Sequence, residues 1–447
     1  MTIGRRAAIK RKDRAHDPAT AYVVVMNYKV GDNRPMVFRT ENYGRSWSSI
    51  DEGLPEEHFA RVVREDPVRP GLLFAGMERG LFISFNGGDA WQAFQTNLPI
   101  VPITDLMLRQ NDLVLATQGR AFWVVDDISP LRQFDSEQME SDLHVYEPNM
   151  AYRLTPTKGR IGGGESVAPS APDGAVIYYS LPSELDLEEE SLSVEILNAN
   201  GEVIREMSTD AETGVEGGGY GADFALPAEA GVNRVVWDLR VQPATKLEYD
   251  VVYGAGPDKA VAGYHVAPGT YTVRVTLGDS VQERQVNVAW DPVQTYDQNA
   301  IAEQQVFVSE VHGMLDELYT RIASLQTIQK QVELRKSIAE KADESEVVEA
   351  AETFLASLEE WQNSVTTPAR ETFQDVLNFH PRVDAFLVDL LDQADEAVLG
   401  LTDGQRDRLE DLRGPWQEAM DSWDQLIEEA MPAFNQSVGP AVVAPAW

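Results

Sequence analysis

The chain has 447 residues, a formal net charge of −36 and no cysteine. That charge disfavours binding to nucleic acid or anionic membrane, and the lack of cysteine excludes disulfides, thiolate metal ligands and a cysteine nucleophile. A hydrophobic content of 43% is ample for packed cores, the length suits about three domains, and no apolar run approaches the ~18 residues of a membrane span.

Taken in chain order, residues 1–14 gather Arg5, Arg6, Lys10, Arg11, Lys12 and Arg14 with no apolar stretch behind them. A secretory leader needs an apolar region of about 7–15 residues after its charges, so Arg5-Arg6 is a weak export signal. The stretch reads as a disordered, misassigned or remnant start rather than a nucleic-acid-binding arm, because the rest of the chain repels phosphate.

Over residues 15–134 a motif recurs. The first copy is Thr40, Glu41, Asn42, Tyr43, Gly44, Arg45, Ser46, Trp47, and the second, 44 residues on, is Ser84, Phe85, Asn86, Gly87, Gly88, Asp89, Ala90, Trp91. Each follows a short apolar strand pattern, Pro35 to Arg39 and Gly80 to Ile83, and a third strand, Ala121 to Val125, runs into Asp126 and Asp127 with no Trp after it. A repeat of about 40–45 residues rich in short strands is the pattern of β-propeller blades, of which this stretch supplies about three. In each motif the Ser or Thr and the Asn would bond the turn backbone, Gly44 or Gly88 would take positive φ, and the Trp would cover the turn and pack between blades.

The motif resembles the Asp-box, or BNR, repeat (Ser/Thr, any, Asp, any, Gly, any, Ser/Thr, Trp), with Asn42 and Asn86 replacing Asp and Ala90 replacing a hydroxyl. The wider run, including "RVVREDPVRPGLLFAGMERGLFISFNGGDAW", "NLPIVPITDL" and "ATQGRAFWVVDDISPLRQF", resembles the last blades of bacterial sortilin-type propeller proteins, often labelled glycosyl hydrolases or sialidase-like. The resemblance continues through nearly the whole chain. It implies a truncated, C-terminal portion of a longer exported protein, periplasmic or extracellular, with upstream propeller blades as a natural partner.

Residues 135–174 are rich in Gly, Pro, Ser and acids and read as an irregular connector. Strand patterns resume over 175–292, at Ala175 to Leu181, Ser191 to Asn198, Glu202 to Met207, Asn233 to Leu239, Gly269 to Leu277 and Val281 to Ala289, with a hairpin turn at Asn198 to Gly201. This density of short strands predicts an Ig-like β-sandwich. "GVNRVVWDLR" and "APGTYTVRV" resemble paired strands of bacterial extracellular Ig-like modules, with Trp237 and Tyr271 as core anchors and an aromatic carbohydrate platform as the alternative.

From about Tyr296 the period changes from 2 to 3.6. Ile301, Val306, Val308, Val311, Leu315, Leu318, Ile322, Leu325 and Ile328 share one broad face of an amphipathic helix. Further helices are expected over Glu344 to Ser364, Val383 to Leu399, and Thr402 towards Met431, the last with a Thr402/Gln405 capping box and a break or kink at Gly414-Pro415. Together, residues 296–447 predict an antiparallel helical bundle, a packing or oligomerisation element or a peptide-binding groove. The fold class is therefore multidomain, mainly β plus α: partial propeller blades, an Ig-like sandwich and a C-terminal bundle.

Sialidase-type hydrolysis needs an arginine cluster, a Tyr-Glu nucleophile pair and an acid/base Asp converging from several blades, more than three can supply. Arg39 and Arg120 occupy blade-like positions, and Glu78 and Asp126 are a carboxylate pair only in lying near loops. His16, His58, His144, His265, His312 and His380 lack zinc-ligand spacing, Gly162 to Gly164 lacks the Lys-Ser/Thr of a phosphate loop, and Gly214 to Asp223 reads as a connecting loop. Asp126-Asp127 reads as a solvated pair rather than a calcium site. No catalytic residue, cofactor or metal is assigned. The structural residues are Thr40, Asn42, Gly44, Ser46, Trp47, Ser84, Asn86, Gly88 and Trp91. The resulting expectation is a non-catalytic interaction or scaffold protein that binds protein or glycan through blade loops. The alternative is part of a sialidase-like glycoside hydrolase whose catalytic blades lie elsewhere.

Overall fold

The computed structural model describes residues 16–135, 141–154, 172–210, 226–248, 251, 254, 260–367, 379–397 and 400–438. The basic residues of the start, Gly162 to Gly164 and Gly214 to Asp223 lie outside them. The chain divides into two compact units, Met1–Gln138 and Met139–Trp447.

The first unit holds three small antiparallel sheets in sequence order. Sheet one contains β1 (Ala21–Val24), β2 (Val37–Thr40) and β3 (Ser48–Ser49). Sheet two contains β4 (Ala60–Glu65), β5 (Leu73–Met77), β6 (Leu81–Ser84) and β7 (Gln92–Ala93), and sheet three contains β8 (Ile103–Arg109), β9 (Asp112–Thr117) and β10 (Phe122–Val125). A short helix, α1 (Ser129–Gln133), follows. The apolar runs in β5 and β6 are buried throughout because sheet two has a neighbour on both faces. Val24, Val37 and Ile50 of sheet one share a core with Val63, Ala75, Phe82 and Trp91, while Val62, Phe74 and Ile83 share another with Ile103, Leu106 and Leu115 of sheet three. The registers also repeat: a bulge lies between Ala60 and Val62 in β4 and between Ile103 and Asp105 in β8. In both cases the extra residue bends the strand at the same place along its partner.

In the second unit, β11 (His144–Val145), β13 (Ala175–Leu181) and β16 (Gly231–Trp237) form one sheet. A second follows the order β12-β18-β17-β14-β15, from Ala151–Arg153, Ser280–Trp290, Gly269–Leu277, Leu192–Leu197 and Val203–Ser208. Inward residues of both, among them Ile177, Tyr179 and Trp237 from one and Val194, Val273 and Val286 from the other, share one core. The alternation of buried and half-buried residues in β13 and β14 is what produces this two-layer arrangement. Two short strands, β11 and β12, fall in the segment expected to be an irregular connector. Both are too short to show a period, and β12 is held by parallel pairing with β18.

Helices α2 (Gln298–Lys341), α3 (Ser345–Val365), α4 (Val383–Asp395), α5 (Asp403–Gln425) and α6 (Met431–Val438) bury their apolar faces on one another. Val306 is exposed, whereas Val308, Val311, Leu315, Leu318 and Ile322 are buried, so the buried stripe is narrower than the pattern suggested. Thr402 caps α5 through a complete capping box with Gln405. Pro415 lies inside α5, where a break or kink was expected; the helix is not broken there and runs on to a π turn at Leu426–Ala430 that leads into α6.

Candidate functional site

The repeated turns are built from local hydrogen bonds. In the first, the Gly44 N–H donates to Thr40 Oγ1 (3.0 Å), the Ser46 N–H donates to Asn42 Oδ1 (2.9 Å), and Asn42 Nδ2 donates to Ser46 Oγ (2.8 Å). In the second, the Gly88 N–H donates to Ser84 Oγ (3.0 Å) and the Ala90 N–H to Asn86 Oδ1 (3.0 Å). An Asn thus supplies the oxygen that an Asp would, and where Ser46 is present its amide nitrogen gains a further bond.

The two copies differ in what they meet. Trp91 is 6% exposed, and its Nε1–H donates to the Ile50 carbonyl of sheet one at 2.7 Å. Trp47 is 38% exposed. A Cβ on Gly88 would stand 2.5 Å from Ile50 Cδ1, so a side chain there would force the sheets apart, whereas the nearest atom to one on Gly44 is Trp47 itself at 3.7 Å. Tyr43 takes the left-handed conformation, φ 60°, that Gly87 fills at φ 73°.

The polar candidates do not converge on one another. Arg39 donates to the Gly87 carbonyl (3.1 Å) and pairs with Asp89 across the seam between sheets one and two, with Glu41 at 3.6 Å. Glu78 is held by Arg61, and Asp126 is an exposed residue after β10 on a different sheet. Arg120 is exposed and reaches the Gly119 carbonyl. The buried carboxylate of Asp66 receives Nε and Nη2 of Arg132, at 3.0 and 2.9 Å, fastening α1 to sheet two. The histidines lie in separate settings: His16 contacts the Asp66 carbonyl (3.0 Å), His144 meets Tyr146 edge-on, and His312 stands edge-on to Tyr264. Burial pushes the His312 imidazole below its usual pKa, against the pull of Asp316. Among the described residues no group of three His, Asp or Glu is placed to hold a metal ion.

Trp237 and Tyr271 meet edge-on with ring centres 5.3 Å apart. Trp237 Nε1–H donates to the Arg240 carbonyl (2.8 Å) and the Tyr271 hydroxyl to the Ala267 carbonyl (2.7 Å). Trp237 is buried, which suits a core anchor rather than a sugar platform.

The densest charge cluster is centred on Asp395, the last residue of α4. Its carboxylate accepts from the His265 N–H (2.9 Å) and contacts His265 Nδ1 (2.7 Å), Arg240 Nη1 (3.2 Å) and Arg153 Nη2 (3.4 Å). Gln304 Nε2 donates to the Ala394 carbonyl (2.6 Å) and Arg153 Nη2 to that of Asp395 (2.9 Å), so a residue of α2 and one of β12 cap the end of α4. Burial pushes the Asp395 carboxyl up, but His265, Arg240 and Arg153 together hold it below its usual value. This arrangement clamps α4 and leaves no free base or nucleophile. The sequence signal for it was faint: an Asp in the last turn of a helix opposes the helix dipole and therefore calls for cationic partners.

No protein-family model and no curated protein matches the chain. Partial structural likeness, all at 11% identity, extends to the Niastella koreensis GH74 enzyme (61% of this chain, 45% of that one, TM-score 0.20). It extends also to YCF48 bound to D1 peptide (60% and 63%, TM-score 0.19) and the extracellular domain of a hybrid two-component system from B. thetaiotaomicron (64% and 32%, TM-score 0.20). Each match takes in less than two thirds of the other chain, and at this level of similarity it carries no weight for activity.

Proposed function

We propose that this chain is a non-catalytic interaction or scaffold protein, in which the three small sheets are blades of an Asp-box-type β-propeller and the second unit combines an Ig-like sandwich with a helical bundle. The observation that supports a contact role is the outward face of sheet three. Met107, Phe122 and Val124 stand there 48%, 76% and 49% exposed, an apolar row of the kind that marks a protein contact site. The repeated turns support the structural half of this reading, since their side chains are spent on the turn backbone.

The test is turnover of chromogenic sialosides and β-glucosides by the purified chain. Release no faster than the buffer blank is the expected result; release that scales with protein concentration would replace this reading with that of a glycoside hydrolase.

A further inference from the structure

We infer that the outer edge of sheet three takes up an extended segment of another polypeptide as an added strand, antiparallel to β10, whose residues run polar, small, large apolar. The inference rests on the contact role just proposed and gives the chemistry of its partner.

One backbone hydrogen bond aligns the three sheets. The Val25 N–H donates to the Met36 carbonyl in sheet one (2.9 Å), the Met77 N–H to the Gly80 carbonyl in sheet two (3.0 Å), and the Thr117 N–H to the Ala121 carbonyl in sheet three (3.1 Å). Gly80 and Ala121 also share a positive φ, 88° and 55°. Counted on from these acceptors, Phe122, Trp123 and Val124 stand where Leu81, Phe82 and Ile83 stand in sheet two.

In sheets one and two the outer edge of this strand carries a two-residue partner. Ser48 and Ser49 pair with Arg39 and Phe38, and Gln92 and Ala93 pair with Ile83 and Phe82. The residue that follows closes the pairing in the same way in both sheets. The Ile50 N–H donates to the Val37 carbonyl and the Phe94 N–H to the Leu81 carbonyl, each at 2.9 Å. The side chains of Ile50 and Phe94 then join the core shared with the next sheet. The same edge is thus filled twice by the same order of chemistry: polar, small, large apolar.

Sheet three has the edge without the strand. Because antiparallel ladders alternate, the bond to Ala121 turns the backbone N–H and C=O of Phe122 and Val124 away from β9. Among the described residues no strand pairs with β10 on that side. The chain itself turns away there: the Ile128 N–H donates to the Asn111 carbonyl (2.7 Å), and Arg132 ties α1 to Asp66. Ile128 and Leu131 join the core between sheets two and three, as Trp91 joins the one between sheets one and two, so the partner need supply only the strand that follows the Trp. An edge meant to stay single is defended by a Lys, a Pro or an inward charge, yet β10 reads Phe122, Trp123, Val124, Val125. Phe122 and Val124, 76% and 49% exposed, form the face that the partner's large apolar residue would cover. Main-chain bonds to the edge would supply affinity and the alternate side chains specificity.

The test is fluorescence anisotropy of a labelled synthetic peptide with the sequence of residues 89–96, which carries Gln92, Ala93 and Phe94, titrated with the full chain. The expected result is saturable binding with a Kd between about 10 μM and 1 mM. Methylating the peptide nitrogen at the Phe94 position removes the donor to the Phe122 carbonyl and should weaken binding at least about tenfold, with the protein itself untouched. In the chain, Phe122→Asp alters an exposed side chain, leaves the fold in place and should weaken binding about tenfold. No saturation by about 1 mM, or binding indifferent to the methyl group or to Phe122→Asp, would each overturn the inference. Failure to bind without glycosidase turnover would sink this inference alone; turnover would sink the function proposed above.

Discussion

At the scale of single residues, Trp47 and Trp91 show how one local motif serves two energetic roles. Both crown the same turn, yet among the described residues only Trp91 finds a carbonyl to bond and a sheet to pack on. Trp91→Ala is therefore expected to cost about 3–5 kcal/mol, by cavity formation plus an unpaired Ile50 carbonyl, and Trp47→Ala under about 1.5 kcal/mol. Urea unfolding followed by tryptophan fluorescence and circular dichroism measures both, and equal losses would show that Trp47 is as deeply engaged as Trp91. The turns were legible in the sequence because their bonds span only two to four residues, for example Thr40 to Gly44. What each Trp packs on was not legible, since Ile50 lies 41 residues from Trp91.

At the scale of elements, α4 depends on groups the hydrophobic pattern does not reveal. Arg153, Arg240 and His265 approach Asp395 from 242, 155 and 130 residues away, and no local spacing encodes that convergence. Asp395→Asn leaves two buried arginines without their counter-charge and is expected to destabilise the second unit by about 3–5 kcal/mol, read from its denaturation midpoint. A loss below about 1 kcal/mol would mean that water already serves those guanidiniums. The native carboxyl is held below its usual pKa, so its contribution is present above the ordinary carboxylate range and is lost as pH falls through the folded value. The continuity of α5 through Pro415 belongs to the same scale: tertiary packing of Leu412, Ala419 and Met420 outweighs a residue that disfavours the helix interior.

At the scale of the whole molecule, one buried acid makes a distinctive pH signature. Burial pushes the Asp384 carboxyl up to about 6, although Thr366 Oγ1–H (2.5 Å) and the Ala385 N–H (2.7 Å) donate to it and pull the other way. A folded value above the ordinary 3.8 means that this stabilisation is fully present below about 3.8 and is lost as pH rises through about 6. Calorimetry of the wild type should therefore show the transition of the second unit moving up between pH 8 and 5. Loss of self-repulsion in a chain of charge −36 also moves it up, so the comparison is with Asp384→Asn. That variant should lose up to about 3 kcal/mol of the pH dependence and be the more stable protein at pH 8; parallel pH profiles would refute the assignment. By itself the sequence determined the repeated turns, the change from strand to helix period near Tyr296 and the capping box at Thr402, because each rests on side chains and backbone a few residues apart. Only the tertiary structure decided which turn is covered, which face of sheet three stays open and which cations meet Asp395. Those outcomes depend on surfaces brought together from distant parts of the chain, where burial sets the strength of every contact.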